Sequence, residues 1–107
     1  MPTKPDKDSL AALTAAMHAF VEGKGWYESN SKHPQTPRSL AISLSLEAAE
    51  VLELFQWTEE ADPEALQSEL ADVMLYLLQI ASLSQVDLGQ AVLEKLDVNE
   101  KRTWDTD

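Results

Sequence analysis

The 107-residue chain contains no cysteine, only 3 glycines and 5 prolines, and 8 basic residues against 19 acidic ones. The lack of cysteine excludes disulfides, zinc–cysteine sites, iron–sulfur clusters and thiol nucleophiles. The formal net charge of −11 repels the phosphates of nucleic acids and of anionic membrane surfaces, so we expect neither as a partner. A small phosphorylated ligand remains compatible with this charge, because a divalent cation held by carboxylates reverses the local field.

Long apolar runs are also absent. The longest one extends from Val73 to Leu78, which is far too short to cross a bilayer, and the first ten residues lack the apolar core of a signal peptide. The composition, 44% hydrophobic and 25% charged, is typical of a folded globular protein. We therefore expect a single domain over residues 1–107, located in the cytoplasm.

Proline and glycine stand where helices should begin or end, and no window alternates apolar and polar residues as a strand does. The pattern predicts an all-α chain whose four helices are joined by short connections, and hence an antiparallel four-helix bundle. The predicted helices run approximately over residues 9–22, 37–57, 63–84 and 88–102. Their predicted caps are Asp8 or Ser9, Thr36, Asp62 and Asp87, the last in a capping box with Gln90.

The most informative feature is a pair of carboxylates on each of two consecutive predicted helices. Glu47 and Glu50 lie in SLEAAEVLELFQW, and Glu69 and Asp72 lie in ELADVMLYLLQIA. The three-residue spacing places both members of a pair on one helix face, and each projects among apolar neighbours, where a carboxylate needs a partner. If the two helices pair antiparallel, the four carboxylates meet in one small volume.

Four close carboxylates repel one another, and a bound cation removes that repulsion. An all-oxygen ligand set selects Mg²⁺ or Mn²⁺ over zinc or copper, and neither His18 nor His33 shares a face with the acidic pairs. Glu-x-x-His motifs, which hold di-iron centres in helical bundles, are absent. We therefore predict a metal site at Glu47, Glu50, Glu69 and Asp72. The alternative is two solvated helix faces, and Glu53 either supports the site or lies at the edge of the bundle.

The last predicted helix carries a second candidate group, in AVLEKLDVNEKR. Lys95 and Asn99 are four residues apart on one face, so an ammonium group and an amide can reach the same ligand oxygens, and Arg102 continues that face. A solvated helix end with cations near its C-terminus explains the same pattern. Proximity to the acidic site decides between the two.

Aromatic side chains form a third candidate group: Trp26, Trp57 and Tyr76. In a small helical bundle such residues usually belong to the core. Tyr76 is the strongest candidate for a ligand contact, because it lies one helical turn from Asp72 and two from Glu69. There a planar base can stack close to metal-bound phosphates.

The sequence strongly resembles the MazG-like all-α nucleoside triphosphate pyrophosphohydrolases. The resemblance lies in EAAE and ELAD, in ELFQW between them, and in KLDVN on the next helix. The closest resemblance is to the dCTP pyrophosphatase-type branch, and it extends from about Phe20 to Arg102. It implies Mg²⁺-dependent hydrolysis of a (deoxy)nucleoside triphosphate to the monophosphate and pyrophosphate. It also implies a homodimer or homotetramer that cleanses the nucleotide pool, with dCTP or a modified dNTP as substrate.

Carried over residue by residue, the resemblance implies three roles. The metal ligands and catalytic residues are Glu47, Glu50, Glu69 and Asp72, with Glu50 as candidate base for the attacking water. The residues that contact phosphate or sugar are Lys95 and Asn99, with Arg102 as a further binding residue on the same face. The residues that enclose the base are Trp26, Trp57 and Tyr76.

Two other interpretations stay open. In the first, the chain is a non-catalytic helical oligomerisation module whose acidic pairs hold a structural cation or only solvent. In the second, it is a related pyrophosphatase that acts on another phosphorylated small molecule, such as dUTP or a nucleotide of histidine synthesis. The acidic motif is common to all of these pyrophosphatases, so it does not separate their substrates.

Overall fold

The computed structural model describes residues 4–102, and its regular structure consists of four α-helices. They are α1 (Leu10–Gly23), α2 (Pro37–Leu54), α3 (Pro63–Leu83) and α4 (Leu88–Lys101). Within the described range there is no strand, so the all-α prediction with four helices is confirmed. No helix among these residues is long and apolar enough to cross a membrane.

Local capping chemistry explains where each helix begins. A side-chain oxygen of the residue before each helix accepts a hydrogen bond from a backbone N–H in the first turn, which would otherwise lack a partner. The four capping residues are Ser9, Thr36, Asp62 and Asp87. At α2 the arrangement is reciprocal, because the Ser39 hydroxyl accepts a hydrogen bond from the backbone N–H of Thr36.

Two details of the predicted helices are wrong. α2 ends at Leu54 instead of about Trp57, because the backbone tightens: the N–H groups of Phe55 and Gln56 donate to carbonyls three residues back. At α4 no capping box closes. The side-chain amide of Gln90 turns along the helix and donates to Glu94 over 3.1 Å.

α2 and α3 form the central packed pair, and α1 packs against α3. The pair is antiparallel, since Glu47 in the second half of α2 meets Glu69 near the start of α3. At the opposite end Gln35, just before α2, accepts a hydrogen bond from Gln79 near the end of α3. The apolar core between the three helices consists of Met17, Val21, Leu40, Leu78 and Ala81.

Large apolar side chains of α2 and α4 remain exposed. On α2, Leu46 is 64% exposed and Leu52 is 68% exposed. On α4, Leu93 is 63% exposed. No residue of α4 is buried. The part of the chain described here therefore leaves two apolar faces uncovered, and a protein rarely leaves faces of this kind open to water.

Candidate functional site

The antiparallel pairing of α2 and α3 brings carboxylates of both helices together. Glu47 on α2 and Glu69 and Asp72 on α3 each offer one oxygen, and these oxygens lie within 4.8 Å of one another. The three side chains are half-buried. This group, the acidic cluster, contains three of the four predicted metal ligands and arises where the spacing of the two acidic pairs predicts it.

Among residues 4–102 no basic side chain forms an ion pair with the carboxyl groups of the cluster. Partial burial, a hydrogen bond with Glu69 and the charges of Asp72, Glu69 and Glu50 raise the pKa of Glu47. Glu50 is exposed and lies outside the group of three. The nearby charge of Glu53, together with a hydrogen bond between the two carboxyl groups, raises the pKa of Glu50. A set of carboxylate oxygens that repel one another and lie within reach of a single ion fits a hard divalent cation.

Removing one of these carboxylates should stabilise the metal-free protein. We expect Glu47→Gln to unfold at a higher temperature than wild type in chelator at about pH 7, because it removes one of the repelling charges. The pKa of Glu47 is higher in the folded protein than in the unfolded chain, so the wild type gains stability as the pH falls past the folded-state pKa. The gain is complete once the pH is below 4.5, the ordinary pKa of a glutamate.

Glu47→Gln lacks that ionisable group, so its stability should change less between about pH 7 and about pH 5 than that of the wild type. Thermal unfolding followed by circular dichroism at the two pH values measures the difference. Glu64→Gln, an exposed carboxyl in the first turn of α3, is the control, and its pH response should follow the wild type. If the stability of Glu47→Gln changed with pH as much as that of the wild type, the repulsion between Glu47 and its neighbouring carboxylates would be contradicted.

Asp72 also borders a cleft of about 790 Å³ formed by α1, the loop after it, α2 and α3. The walls are mainly apolar, and Trp26 and Tyr76 contribute aromatic rings to them. The ring of Phe20 meets the ring of Trp26 edge-on, with the ring centroids 5.6 Å apart. The centroid of the His33 ring lies 5.2 Å from that of Trp26. The cleft therefore offers aromatic surface directly beside the acidic cluster.

Three residues of α3 run along this cleft at helical spacing. Asp72, Tyr76 and Gln79 all line it, and positions i, i+4 and i+7 of a helix share one face. At the rise of an α-helix, Gln79 lies about 10 Å beyond Asp72. A ligand that lies along this face can therefore touch the acidic cluster at one end and Gln79 at the other.

The remaining predicted contacts lie elsewhere in the chain. Trp57 follows the end of α2 and is 89% exposed. Lys95 and Asn99 lie on α4 and Arg102 directly follows it, and none of the three is among the residues that line the cleft. The substrate contacts of these four residues stay predictions.

Sequence reasoning missed the polar residues of the cleft. Gln79 is only 4% exposed, and it hydrogen bonds to Gln35 and Tyr27, two residues of the loop between α1 and α2. The available signal was positional: Gln79 interrupts the apolar run of α3 on the face that carries Asp72 and Tyr76. Its partners come from a distant part of the sequence, so no local pattern points to them.

Comparison with known proteins identifies the family. Residues 42–106, more than half of the chain, match the family model described as MazG-like. The chain belongs to the MazG-like family. This confirms the resemblance that the acidic pairs suggest. The family match includes α3, α4 and most of α2, and therefore the whole acidic cluster.

The MazG-like chain is similar to several proteins with described activities. It is 42% identical to the dCTP pyrophosphatase 1 of Homo sapiens and of Rattus norvegicus in alignments 97 residues long. These alignments cover 80% of this chain and 54% of each relative. The chain thus spans about half the length of these curated relatives. Its fold matches the crystal structure of a pyrophosphatase from Archaeoglobus fulgidus with a TM-score of 0.72 and 30% identity, over 94% of this chain and 96% of that one.

Proposed function

We propose that this MazG-like chain is a single-domain enzyme that hydrolyses a (deoxy)nucleoside triphosphate to the monophosphate and pyrophosphate, with Mg²⁺ at the acidic cluster. The observation that carries the proposal is the position of that cluster. Its carboxylate oxygens lie within 4.8 Å of one another, and one member, Asp72, borders an apolar cleft with aromatic rings in its walls. The names of the similar proteins, dCTP pyrophosphatase 1 and a pyrophosphatase, support the same reaction class.

Separate roles follow for the four acidic residues. Glu47, Glu69 and Asp72 would hold Mg²⁺, which when bound neutralises charge on the triphosphate and lowers the pKa of a water molecule. Glu50 stays outside this group, so its carboxylate is available to take a proton from the attacking water. Because Glu53 raises the pKa of Glu50, that carboxylate is a stronger base than an ordinary glutamate.

The cleft would bind the nucleoside. With the phosphates at the acidic cluster, the base enters the apolar space beside Tyr76 and Trp26, where its flat faces meet aromatic rings. The formal net charge of −11 repels a free triphosphate. Binding should therefore depend on the divalent cation, which joins two groups of like charge.

We infer that the enzyme self-associates as a dimer or tetramer. The support is the exposure of the apolar faces of α2 and α4, on which Leu46 and Leu93 are 64% and 63% exposed. Association would also explain the residues far from the cleft. A second chain would bring its α4, with Lys95 and Asn99, toward the phosphates, while Trp57 and Arg102 approach from the same contact.

A substrate panel tests the proposed function. Pyrophosphate release by the wild type is measured with each canonical dNTP and with base-modified dCTP, in Mg²⁺ and in chelator. The proposal expects Mg²⁺-dependent release, fastest with dCTP or a modified dNTP, which fits a role in cleansing the nucleotide pool. A folded protein that binds Mg²⁺ but releases no pyrophosphate from any triphosphate would instead be an oligomerisation module with a structural cation.

A further inference from the structure

A chain of hydrogen bonds connects α1, the loop after it and α3 beside the cleft. His33 anchors one end, since its backbone carbonyl accepts from Nε2 of Gln35 over 2.7 Å. Nε2 of Gln79 lies 2.8 Å from Oε1 of Gln35 and 3.2 Å from the hydroxyl of Tyr27. Beyond Tyr27 the chain continues through the ring of His18 to the hydroxyl of Ser82.

One backbone carbonyl sets the direction of all these hydrogen bonds. The carbonyl of His33 can only accept, so Gln35 must turn its amide nitrogen toward it and its Oε1 toward Gln79. Gln79 must therefore present its own nitrogen to Gln35. The hydrogen-bond partners thus fix the orientation of both amides.

The two hydrogens on Nε2 of Gln79 are then both used. One is donated to Gln35 and the other to the oxygen of Tyr27, so the hydroxyl hydrogen of Tyr27 goes to Nδ1 of His18. Burial raises the pKa of Tyr27, which keeps the phenol protonated as this donor. Nε2 of His18 completes the chain by donating to Ser82 over 2.7 Å.

One acceptor remains. Oε1 of Gln79 accepts no hydrogen bond from residues 4–102. The Gln79 side chain is only 4% exposed, and it lines the cleft. Oε1 itself is not sealed from solvent, so a donor group that enters the cleft can reach it. The structure therefore leaves, at the far end of the cleft from the acidic cluster, an acceptor that a ligand can satisfy.

We propose that Gln79 selects a nucleobase that carries an exocyclic amino group, as cytosine and adenine do. This inference rests on the proposed function, which puts the phosphates at the acidic cluster. Asp72 and Tyr76 share a helix face with Gln79, so a nucleotide that extends about 10 Å from the metal ligands brings the edge of its base to Gln79. The amino group then donates to Oε1.

Rejection of the wrong base follows from the same network. A base with a carbonyl oxygen at that ring position, such as uracil, would bring two acceptors together. An isolated glutamine relieves such a clash by rotating its amide. Gln79 cannot, because rotation would turn its oxygen toward Oε1 of Gln35, whose own orientation is set by His33. The network makes Gln79 a rigid acceptor.

The test compares dCTP with dUTP, which carry an amino group and a carbonyl oxygen at the same ring position. We expect the wild type to prefer dCTP by roughly tenfold or more in kcat/KM. In Gln79→Met, which keeps length and apolar contact, the preference should fall to within about threefold, mainly through a higher KM for dCTP. Gln67→Met, at an exposed position of α3, is the matched control and should keep the wild-type preference.

A second variant and a binding measurement complete the test. Tyr27→Phe frees one side of the Gln79 amide and should reduce the preference partway, with circular dichroism checking the fold. Quenching of tryptophan fluorescence by dCMP and dUMP gives the same comparison without turnover. An unchanged preference in folded Gln79→Met or Tyr27→Phe, or a wild type that does not prefer dCTP, overturns the inference alone. No pyrophosphate release from any triphosphate refutes the proposed function.

Discussion

Asp72→Asn is expected to lower Mg²⁺-dependent pyrophosphate release by about a hundredfold to a thousandfold. The substitution keeps the size of the side chain but removes a charge from a site where three carboxylates meet within 4.8 Å. Asp72 belongs both to the acidic cluster and to the wall of the cleft, so its loss affects the cation at the point where the triphosphate must lie.

Calorimetric titration with Mg²⁺ and a steady-state assay of pyrophosphate release measure the two parts of this prediction. Affinity for Mg²⁺ and turnover should fall together, while helix content stays that of the wild type. Glu59→Gln, in the exposed connection between α2 and α3, removes the same unit of charge outside the cluster and should change neither. Equal losses in the two variants would show that only net charge matters.

Leu93→Asp is expected to convert the proposed dimer or tetramer to a single chain. Within one chain Leu93 is 63% exposed, so the substitution should change the free energy of unfolding by no more than about 0.5 kcal/mol if the protein is a monomer. If α4 packs against a second chain, the same change buries an unpaired charge and costs about 3 kcal/mol or more. The two cases differ enough for one variant to separate them.

Sedimentation equilibrium gives the mass of the wild type and of Leu93→Asp, and chemical denaturation gives their stability. The control is Glu100→Gln on the same helix. It also changes the net charge by one unit, but it does not place a charge on the apolar face of α4. A wild type that sediments as a monomer, or a Leu93→Asp protein of unchanged mass, would contradict association through α4. In either case α4 of a second chain would not bring Lys95 and Asn99 to the phosphates.

Most of the fold was predictable because the helix boundaries depend on local chemistry. Ser9, Thr36, Asp62 and Asp87 each cap the helix that follows. The pattern identifies the last three and gives Ser9 as one of two candidates, beside Asp8. The end of α2 was less predictable. Its apolar pattern continues through ELFQW, whereas the backbone tightens after Leu54, and residue types alone do not show that change.

The acidic half of the candidate site was predictable for a similar reason. A three-residue spacing on each of two consecutive helices is enough to bring Glu47, Glu69 and Asp72 together once the helices pair. The polar residues of the half that would bind the base were not predictable. Gln79 meets Tyr27 and Gln35 across long stretches of sequence, and such contacts depend on the packing of three elements.

The aromatic predictions divide along the same line. Tyr76 and Trp26 line the cleft, whereas Trp57 lies beyond the end of α2 and is 89% exposed. The sequence pattern favours Tyr76, which lies one helical turn from Asp72, but it does not separate Trp26 from Trp57. The same holds for α4, whose residues have the spacing of a binding face without lining the cleft.

The reaction products show which phosphate bond the protein hydrolyses. Wild-type protein is incubated with dCTP and Mg²⁺, and the nucleotide and phosphate products are separated by ion-exchange chromatography and quantified. We expect dCMP and pyrophosphate in equal amounts, and neither product in chelator. Formation of dCDP with orthophosphate would show that a different bond is broken, and intact dCTP after incubation with folded, Mg²⁺-bound protein would contradict the proposed enzyme.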